Sequence, residues 1–497
     1  DQSACTYCPP NSFTDGESKT SLGDCVCEAD YYGTISNGSL SCQNCPVGSN
    51  CTAKGATLQQ LYILTGYYRA SSWSNDLRRC ADFGNASGCV GGVGAGEGPC
   101  KPWLAGPYCR LCNVTDTSRY YHAEESACLP CEAGAAAPLV AGVVGVLAAI
   151  LLAVIFKVRV LPRCQGRWLA RASRLWLQLS LRAKCKQMLS FYQVATRISG
   201  AYDVPLPREV VALLSIFELL NINIGGIGLP LQCLSLGTYE QQLAFTMVAP
   251  LFLAVLLVAG FVGRSLCRAC RGGDGDGAGN GGKDAQPALP SRLKAGLLAA
   301  LPWLLLLTFL VFPMVSSAAF QAFACETFDT GRSFLRADYA VECDTPAHAR
   351  ATQLAWLGIL LYPVGISVLY IALMLRASGA IRDERPTALS KSLGFLVRDY
   401  EPAYFWWELA EAWKKLFLVG FAVLIMPGSI EQLVIAFLFS LSHLLLVSIA
   451  APFKDDADDL FAKACGFGLT AVFFFCVILK VGVLTDAVDA VLSEQLR

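Results

Sequence analysis

The sequence predicts a mainly α-helical bundle that crosses a membrane about eight or nine times, with a small disulfide-rich domain of short β-strands outside it. Fourteen cysteines and all four N-glycosylation sequons lie before residue 133. Long apolar stretches follow one another through the rest of the chain. Only 16% of the residues are charged and the mean hydropathy is +0.46. Soluble domains carry about 25% charged residues, so this composition indicates a lipid-facing surface.

Residues 1–133 form a head that is too poor in aliphatic residues to build a core, so disulfides are expected to replace one. Its cysteines are Cys5, Cys8, Cys25, Cys27, Cys42, Cys45, Cys51, Cys80, Cys89, Cys100, Cys109, Cys112, Cys128 and Cys131. The asparagines of its sequons are Asn37, Asn50, Asn85 and Asn113. N-glycosylation takes place in an oxidising lumen, which favours disulfides over zinc binding by the CxxC pairs.

Eight stretches are long enough to span, since a crossing needs about 20 apolar residues. They are 135–157, 208–231, 241–263, 295–318, 352–375, 405–426, 430–451 and 461–484. The basic loops 157–186, 264–294 and 376–404 are expected in the cytosol. The loop 319–351 then lies outside, where Cys325 and Cys343 can form a disulfide. The pattern of the tail 485–497 indicates the start of another helix, so we expect a ninth span after residue 497.

These features divide the chain into four parts. The head, 1–133, is followed by a first transmembrane helix, 134–160, and a basic cytosolic linker, 161–204. An amphipathic helix at 166–200 in this linker is expected to lie in the inner headgroup layer. Residues 205–497 form the multi-span domain, with a flexible glycine-rich linker at 272–287. Because the chain begins at Asp1 with no span before the cysteines, we also expect a removed signal peptide.

Polar residues at membrane depth are the candidate functional residues, because ionisable groups there cost energy. In the second span these are Glu218, Asn221 and Asn223, which precede a glycine-rich and proline-containing segment, 225–230. An unwound helix beside a carboxylate attracts cations. Hydrogen bonding inside the bundle and close helix packing explain the same residues equally well. We expect Gln432, Ser440 and His443 of the seventh span to line the opposite side of a conduction path.

Two charged segments have structural explanations that we favour. The sixth span opens with three tryptophans and with Lys414 and Lys415, which are typical of an interfacial anchor, and Glu411 is spaced to pair with Lys415. The turn after the seventh span holds Asp455, Asp456, Asp458 and Asp459. These aspartates are a weak candidate site for a divalent cation such as Ca²⁺, and their negative charge also suits a helix N-terminus.

An enzyme is not expected. The chain has three histidines, His122, His348 and His443, and it lacks the HExxH, GxSxG, P-loop and strand-linked GxGxxG motifs. No cofactor is predicted beyond the weak Ca²⁺ candidate. Lysine plus arginine balance aspartate plus glutamate at 39 each, so nothing indicates a nucleic-acid partner.

The head contains short cysteine motifs that resemble those of a known family of modules. These are Cys5-Thr-Tyr-Cys8-Pro-Pro, Cys42-Gln-Asn-Cys45-Pro-Val-Gly and Gly106-Pro-Tyr-Cys109-Arg-Leu-Cys112. They resemble the ephrin-receptor-like repeats, which are relatives of EGF and TNF-receptor repeats. The resemblance covers about residues 1–131 and implies short strands stapled by disulfides. The pairing itself stays open, and closures between neighbours such as Cys45–Cys51 and Cys112–Cys128 are guesses.

Short motifs in residues 187–484 carry a second resemblance. They include Tyr192-Gln193, Phe323-Ala-Cys325, Phe334-Leu-Arg-Ala-Asp338, Tyr362-Pro-Val-Gly365, Tyr400-Glu-Pro402 and Ala451-Pro-Phe453. The region resembles a large group of multipass proteins from algae and other protists, related to the fungal TRP-like family with its flavin-carrier and polycystin-like members. The resemblance implies a channel-like domain with cation and calcium permeation. No selectivity-filter signature occurs, so no pore residue is transferred.

The sequence therefore predicts a TRP-like cation channel or channel-like sensor in the plasma membrane or ciliary membrane. Its glycosylated head is expected to contact a ligand, the matrix or a protein partner, and the chain is a candidate homo-oligomer. The alternatives are a non-conducting receptor or adhesion anchor and, third, a lipid scramblase or transporter.

Overall fold

A computed structural model describes most of the head and of the membrane bundle. The described residues are 7–19, 21–36, 39–80, 87–94, 100–113, 119–122, 125–131, 180–202, 204, 233, 236–271 and 289–495. Several sequence predictions lie outside them: the first span, the second span with Glu218, Asn221 and Asn223, the linker 272–287, the cysteine Cys5 and the sequons at Asn37 and Asn85.

The head consists of short antiparallel strands, as predicted. They are β1 (Ser12–Thr14), β2 (Cys25–Cys27), β3 (Tyr31–Ser36), β4 (Ser39–Asn44), β5 (Ser49–Asn50), β6 (Tyr62–Ile63), β7 (Tyr67–Arg69), β8 (Leu77–Arg79), β9 (Gly92–Val93), β10 (Leu104–Ala105), β11 (Leu111–Cys112), β12 (Arg119–His122) and β13 (Ala127–Pro130). They pair as β1–β2, β3–β4, β5–β6–β9, β7–β8, β10–β11 and β12–β13. Strands this short and sheets this small need covalent support.

Disulfides supply that support. The bonds within the described head are Cys8–Cys25, Cys27–Cys42, Cys45–Cys51, Cys80–Cys89, Cys100–Cys109 and Cys112–Cys128. The guesses Cys45–Cys51 and Cys112–Cys128 are thus confirmed. Cys131 pairs with Cys233, 102 residues later, in the segment between the predicted second and third spans. This bond ties the head to the segment that enters the membrane bundle.

The rest of the described chain is mainly helical. The helices are α1 (Leu181–Ala195), α2 (Ile198–Tyr202), α3 (Tyr239–Arg271), α4 (Leu289–Gln321), α5 (Pro346–Ile359), α6 (Gly365–Arg382), α7 (Ala388–Ser392), α8 (Gly394–Val397), α9 (Trp407–Lys415), α10 (Ile430–Ala450) and α11 (Asp456–Gln495). A π-helical turn joins α5 to α6 without a break. Five of the resulting helices are long and apolar enough to cross a membrane, namely α3, α4, α5–α6, α10 and α11. The helical multi-span fold is therefore confirmed, and the total of eight or nine crossings stays a prediction.

The predicted sixth span, 405–426, is not one regular helix. After α9 the chain forms a π-helical turn, Leu416–Gly420, and then a 3₁₀ turn, Phe421–Leu424. Gly420 lies against the ring of Phe320 in α4, and a Cβ atom there would come within 3.0 Å of that ring. Close packing against α4 thus accompanies the change of helix type, and such π-helical turns are frequent at functional sites.

The tail prediction was wrong in one respect. Residues 485–495 do not begin a separate helix but continue α11.

From Ser180 onward, helices α1 and α2 correct the prediction that a helix at 166–200 lies flat in the headgroup layer; residues 166–179 lie outside the described part of the chain. Ser180 donates to Asp455 Oδ2 (3.0 Å) at the inner end of the bundle, where α11 begins. At the outer end, the amide of Gln432 donates to the carbonyl of Ala201 (3.1 Å). The pair α1–α2 therefore runs along the depth that α10 also covers. Apolar residues of α1–α2 share a buried cluster with α10 and α11; it includes Val194, Ile198, Tyr202, Leu433, Leu469 and Phe473.

The loop between α4 and α5, which the sequence analysis places outside, folds into a three-stranded antiparallel sheet. Its strands are β14 (Cys325–Thr327), β15 (Ser333–Leu335) and β16 (Asp338–Glu342). The predicted disulfide Cys325–Cys343 is present. Phe328 and Tyr339 of this loop belong to the same buried cluster as Tyr68 and Tyr108 of the head. The head is therefore packed on the outer end of the bundle.

Candidate functional site

The junction between the head and the loop sheet is centred on Glu326 of β14. Its Oε1 atom accepts hydrogen bonds from the Tyr108 hydroxyl (2.7 Å) and from Arg78 Nη1 (2.8 Å), and both of these donors belong to the head. Its Oε2 atom accepts one from the hydroxyl of Tyr339 in β16 (2.7 Å). The Glu326 side chain is 18% exposed, so water screens these contacts only in part.

Aromatic packing surrounds this carboxylate. The ring of Phe328 lies 5.8 Å from that of Tyr108 and 6.2 Å from that of Tyr68, measured between centroids. The guanidinium of Arg78 lies 4.6 Å from the Phe328 ring centroid. A cation over a partly desolvated ring contributes on the order of 1 kcal/mol. The head is therefore positioned by specific contacts in addition to its disulfide tether.

The electrostatics of Glu326 favour its ionised form. Burial by itself would raise the pKa of this carboxyl. The hydrogen bonds from Tyr339 and Tyr108 and the charges of Arg336 and Arg78 outweigh burial, so the pKa of Glu326 lies below its usual value. Burial and the neighbouring carboxylate raise the pKa of Tyr108, which keeps its hydroxyl protonated as a donor. The junction thus holds one ionised carboxylate against neutral hydroxyls and cationic guanidinium groups.

A second polar assembly lies in the inner half of the bundle, between α1 and α9. Lys186 of α1 forms an ion pair with Glu408 of α9 and donates to the carbonyl of Phe395 (2.9 Å). The hydroxyl of Tyr400 donates to Glu408 Oε2 (2.9 Å). Glu408 is only 1% exposed. Breaking a buried ion pair of this kind costs about 3–5 kcal/mol, because the remaining charge is left without compensation.

The lysines of α9 do not behave as the sequence predicted. Lys415 is 1% exposed and does not extend to the headgroups: its ammonium donates to Gln193 Oε1 (3.1 Å) and lies 3.7 Å from the centroid of the Phe309 ring. In place of the expected i,i+4 pair of Glu411 with Lys415, Lys414 donates to Glu411 (2.5 Å). Because α1 packs against this face of α9, Lys415 finds its partner on another helix.

Part of this assembly, including Lys186 and Glu408, lines a cavity of about 40 Å³ at the inner end of the bundle. Its lining includes Lys186, Gln187 and Ser190 from α1, Asp399 from the segment before α9, Glu408, Glu411 and Lys414 from α9, and His443 from α10. A cavity of this size holds about two or three water molecules. Polar and charged side chains line one part of it, and apolar ones such as Phe309, Val447 and Leu469 line the rest. The polar part is suited to water or a small polar ligand.

The predicted path-lining residues that the structure describes lie in different places. Gln432 is buried near the outer end, where it accepts from the amide of Gly428 (2.8 Å) and donates to the carbonyls of Ala201 and Ala422. Ser440 is buried and shares a hydrogen bond with Thr470 of α11 (2.9 Å). His443 lies on the inner cavity, with Nε2 3.5 Å from Glu411 Oε1. The first two residues therefore use their polar groups within the bundle.

The four aspartates after α10 hold the start of α11. Asp455 Oδ1 accepts from the amide of Ala457 (3.0 Å) and Asp459 Oδ1 from that of Phe453 (3.2 Å). Asp458 forms an ion pair with Lys184 of α1 (2.6 Å). Asp456 is the first residue of α11, where negative charge stabilises a helix. The aspartates of this turn therefore stabilise the start of α11 and also anchor α1.

Two further groupings have bearing on ligands and modification. Cys325, Cys343 and His348 have ligand atoms within 4.8 Å of one another, but the two cysteines are joined in a disulfide and have no thiolate to offer.

Among the described sequons, Asn50 and Asn113 are exposed. The Asn50 side chain accepts from both the amide and the hydroxyl of Thr52, so this sequon lies in an accessible turn. Glycosylation itself stays a prediction.

Sequence reasoning missed the inner assembly, because it assigned Lys186, Gln187, Ser190 and Gln193 to a helix in the headgroup layer. A signal was present: Gln187 and Ser190 are three residues apart, so they share one helix face. Asp399 carried no signal, because it lies in a loop whose position depends on tertiary packing.

Comparison with known proteins found no match among family models, curated proteins or solved structures.

Proposed function

We propose that this protein is a cell-surface cation channel or channel-like sensor in which the cysteine-rich head controls the helices beneath it. The observation that carries this proposal is the junction at Glu326, where a partly buried carboxylate of the extracellular loop binds two residues of the head. A head that served only as a flexible display would not need such a contact.

The loop provides a short physical route from the head to the membrane. It follows directly from the end of α4 and leads directly into α5. His348, near the start of α5, lies 3.1 Å from the carbonyl of Ala322, just after α4, so the two helix ends are held together. A ligand that shifts the head would therefore act on both helices at once.

Two distorted helical segments lie next to this route. The π-helical turns Leu360–Val364 and Leu416–Gly420 both pack against α4. A π-helical turn is a strained insertion that often marks a functional site. We expect these turns to absorb small displacements of α4, with a cation path near Glu218, Asn221 and Asn223 as the output.

The second candidate is a non-conducting receptor or adhesion anchor. The bonding of Gln432 and Ser440 favours it, because both side chains are buried and satisfied within the protein. In this alternative the head and its junction have the same role, and the bundle holds or relays without a path.

Ionic current through a bilayer containing the purified protein tests the proposal. Wild type is compared with Glu218→Gln for the path and with Glu326→Gln for the coupling, and Asp329→Asn, an exposed acid in the same loop, is the matched control. The channel proposal expects cation current that Glu218→Gln alters in permeation and Glu326→Gln alters in gating. No current under voltage, tension or calcium would leave the receptor or anchor as the function.

A further inference from the structure

Four buried polar atoms in the lining of the inner cavity have no hydrogen-bond partner among the residues that the structure describes. These buried atoms are Gln187 Oε1, Ser190 Oγ, Asp399 Oδ2 and His443 Nε2, and all four residues line the cavity. Ser190 is 7% exposed, and the side chain of His443 is 10% exposed. Each unpartnered buried polar atom costs about 1–3 kcal/mol, so the cavity is expected to hold something that satisfies them.

The unsatisfied atoms are biased toward acceptors. Gln187 Oε1 and Asp399 Oδ2 can only accept, and the Ser190 hydroxyl oxygen also has free lone pairs. The amide nitrogen of Gln187 already donates to the carbonyl of Asp458 (3.2 Å), which holds the side-chain oxygen in place. An occupant must therefore present hydrogen atoms or positive charge, and oxygen ligands of this kind suit hard cations.

The pattern of ion pairs in the lining favours a cation beside Asp399. The lining contains three carboxylates, Asp399, Glu408 and Glu411, and two ammonium groups, Lys186 and Lys414. The buried ammonium of Lys415 also acts electrostatically on Glu408 and Glu411. Lys415 does not line the cavity, because its ammonium faces Gln193 and the Phe309 ring. Glu408 and Glu411 already have lysine partners, so Asp399 is the carboxylate left to compensate.

We propose that this cavity is a binding site for one alkali-metal cation, with Gln187 Oε1, Ser190 Oγ and Asp399 Oδ2 as its protein ligands. Asp399 is the one lining carboxylate without an ion-pair partner among the described residues, which matches a monovalent ion, and the two lining lysines disfavour a divalent one. The volume allows one ion with one or two waters. The site joins α1 to the segment before α9, so an ion there holds these two parts together.

Cation-dependent thermal stability of the purified full chain tests this site. Sodium or potassium chloride is titrated against N-methylglucamine chloride at constant ionic strength, and unfolding is followed by tryptophan fluorescence. Wild type is expected to show a saturable rise in Tm, because a ligand that binds only the folded state stabilises it. Asp399→Asn and Ser190→Ala should raise the half-saturating concentration at least tenfold.

The controls are Asp383→Asn and Ser442→Ala, which change an exposed acid and an exposed hydroxyl of the same bundle. Both should keep the wild-type dependence. Equilibrium binding of ²²Na⁺ or ⁸⁶Rb⁺ to wild type gives a second readout if a variant does not fold, with about one ion expected per chain. No saturable alkali-ion effect or binding, or an effect that both site variants retain in full, would overturn the site. Stabilisation by calcium alone would overturn the monovalent assignment. Current measurements are separate, so failure here leaves the channel proposal standing.

Discussion

Replacing Glu326 with glutamine tests whether the head is docked by its polar contacts or held only by covalent tethers. The substitution keeps the shape and one acceptor oxygen but removes the charge. Two of the hydrogen bonds to Glu326 cross the junction, from Tyr108 (2.7 Å) and Arg78 (2.8 Å). Hydrogen bonds to charged groups contribute about 1.5–3 kcal/mol and neutral ones about 0.5–1.5 kcal/mol, so each contact loses about 1 kcal/mol.

The expected loss across the junction is therefore about 2 kcal/mol, which corresponds to a shift of roughly 30-fold toward the undocked head. Hydrogen–deuterium exchange of the segments 66–80 and 324–343 measures it, because transient undocking exposes both. Exchange there should accelerate by about this factor while α10 and α11 stay unchanged. Asp329→Asn should have no effect, since Asp329 is exposed at the same loop. Equal exchange in wild type and Glu326→Gln would refute the reasoning.

Three other outcomes follow from the structure. The pKa of Glu326 is lowered in the docked state, so its contribution to docking of the head is complete above the ordinary carboxyl pKa of about 4.3 and is lost as the pH falls through the lowered value. Hydrogen–deuterium exchange at the junction should therefore rise only in acid, and Glu326→Gln should remove that rise. Replacing Gln432 by alanine removes three hydrogen bonds of a buried side chain and should lower the stability to thermal unfolding by about 2–4 kcal/mol, whereas Ser442→Ala should stay within about 0.5 kcal/mol. A membrane-impermeant maleimide applied outside cells should label Gly200→Cys and not Ser180→Cys, because α1–α2 runs between the two faces; equal labelling of both would favour the flat helix.

Structural features that depend on short stretches of the chain could be predicted from the sequence. The apolar lengths of α3, α4, α5–α6, α10 and α11 predicted membrane helices, because a crossing has a fixed thickness. Cysteine density predicted a disulfide head, and the loop's position outside predicted the bond Cys325–Cys343. Neighbouring cysteines also predicted Cys45–Cys51 and Cys112–Cys128.

Contacts between residues that are far apart in the sequence could not be predicted. Cys131 pairs with a cysteine 102 residues away. Lys415 was assigned to the headgroups because lysine at a membrane interface usually extends to them. Its actual partner, Gln193, lies on a helix 222 residues earlier in the chain, and no local pattern encodes that contact.

The sequence by itself determined the class of this protein: a disulfide-stapled head on a helical membrane bundle, with its polar residues concentrated at a few depths. Local chemistry suffices for this, since hydropathy and cysteine content act residue by residue. Only the tertiary structure decided that α1–α2 enters the bundle, that Glu326 receives the head, and that Gln187, Ser190 and Asp399 meet at one cavity. These depend on packing between helices that are distant in sequence, where the free energy of burying a charge selects which partners must meet.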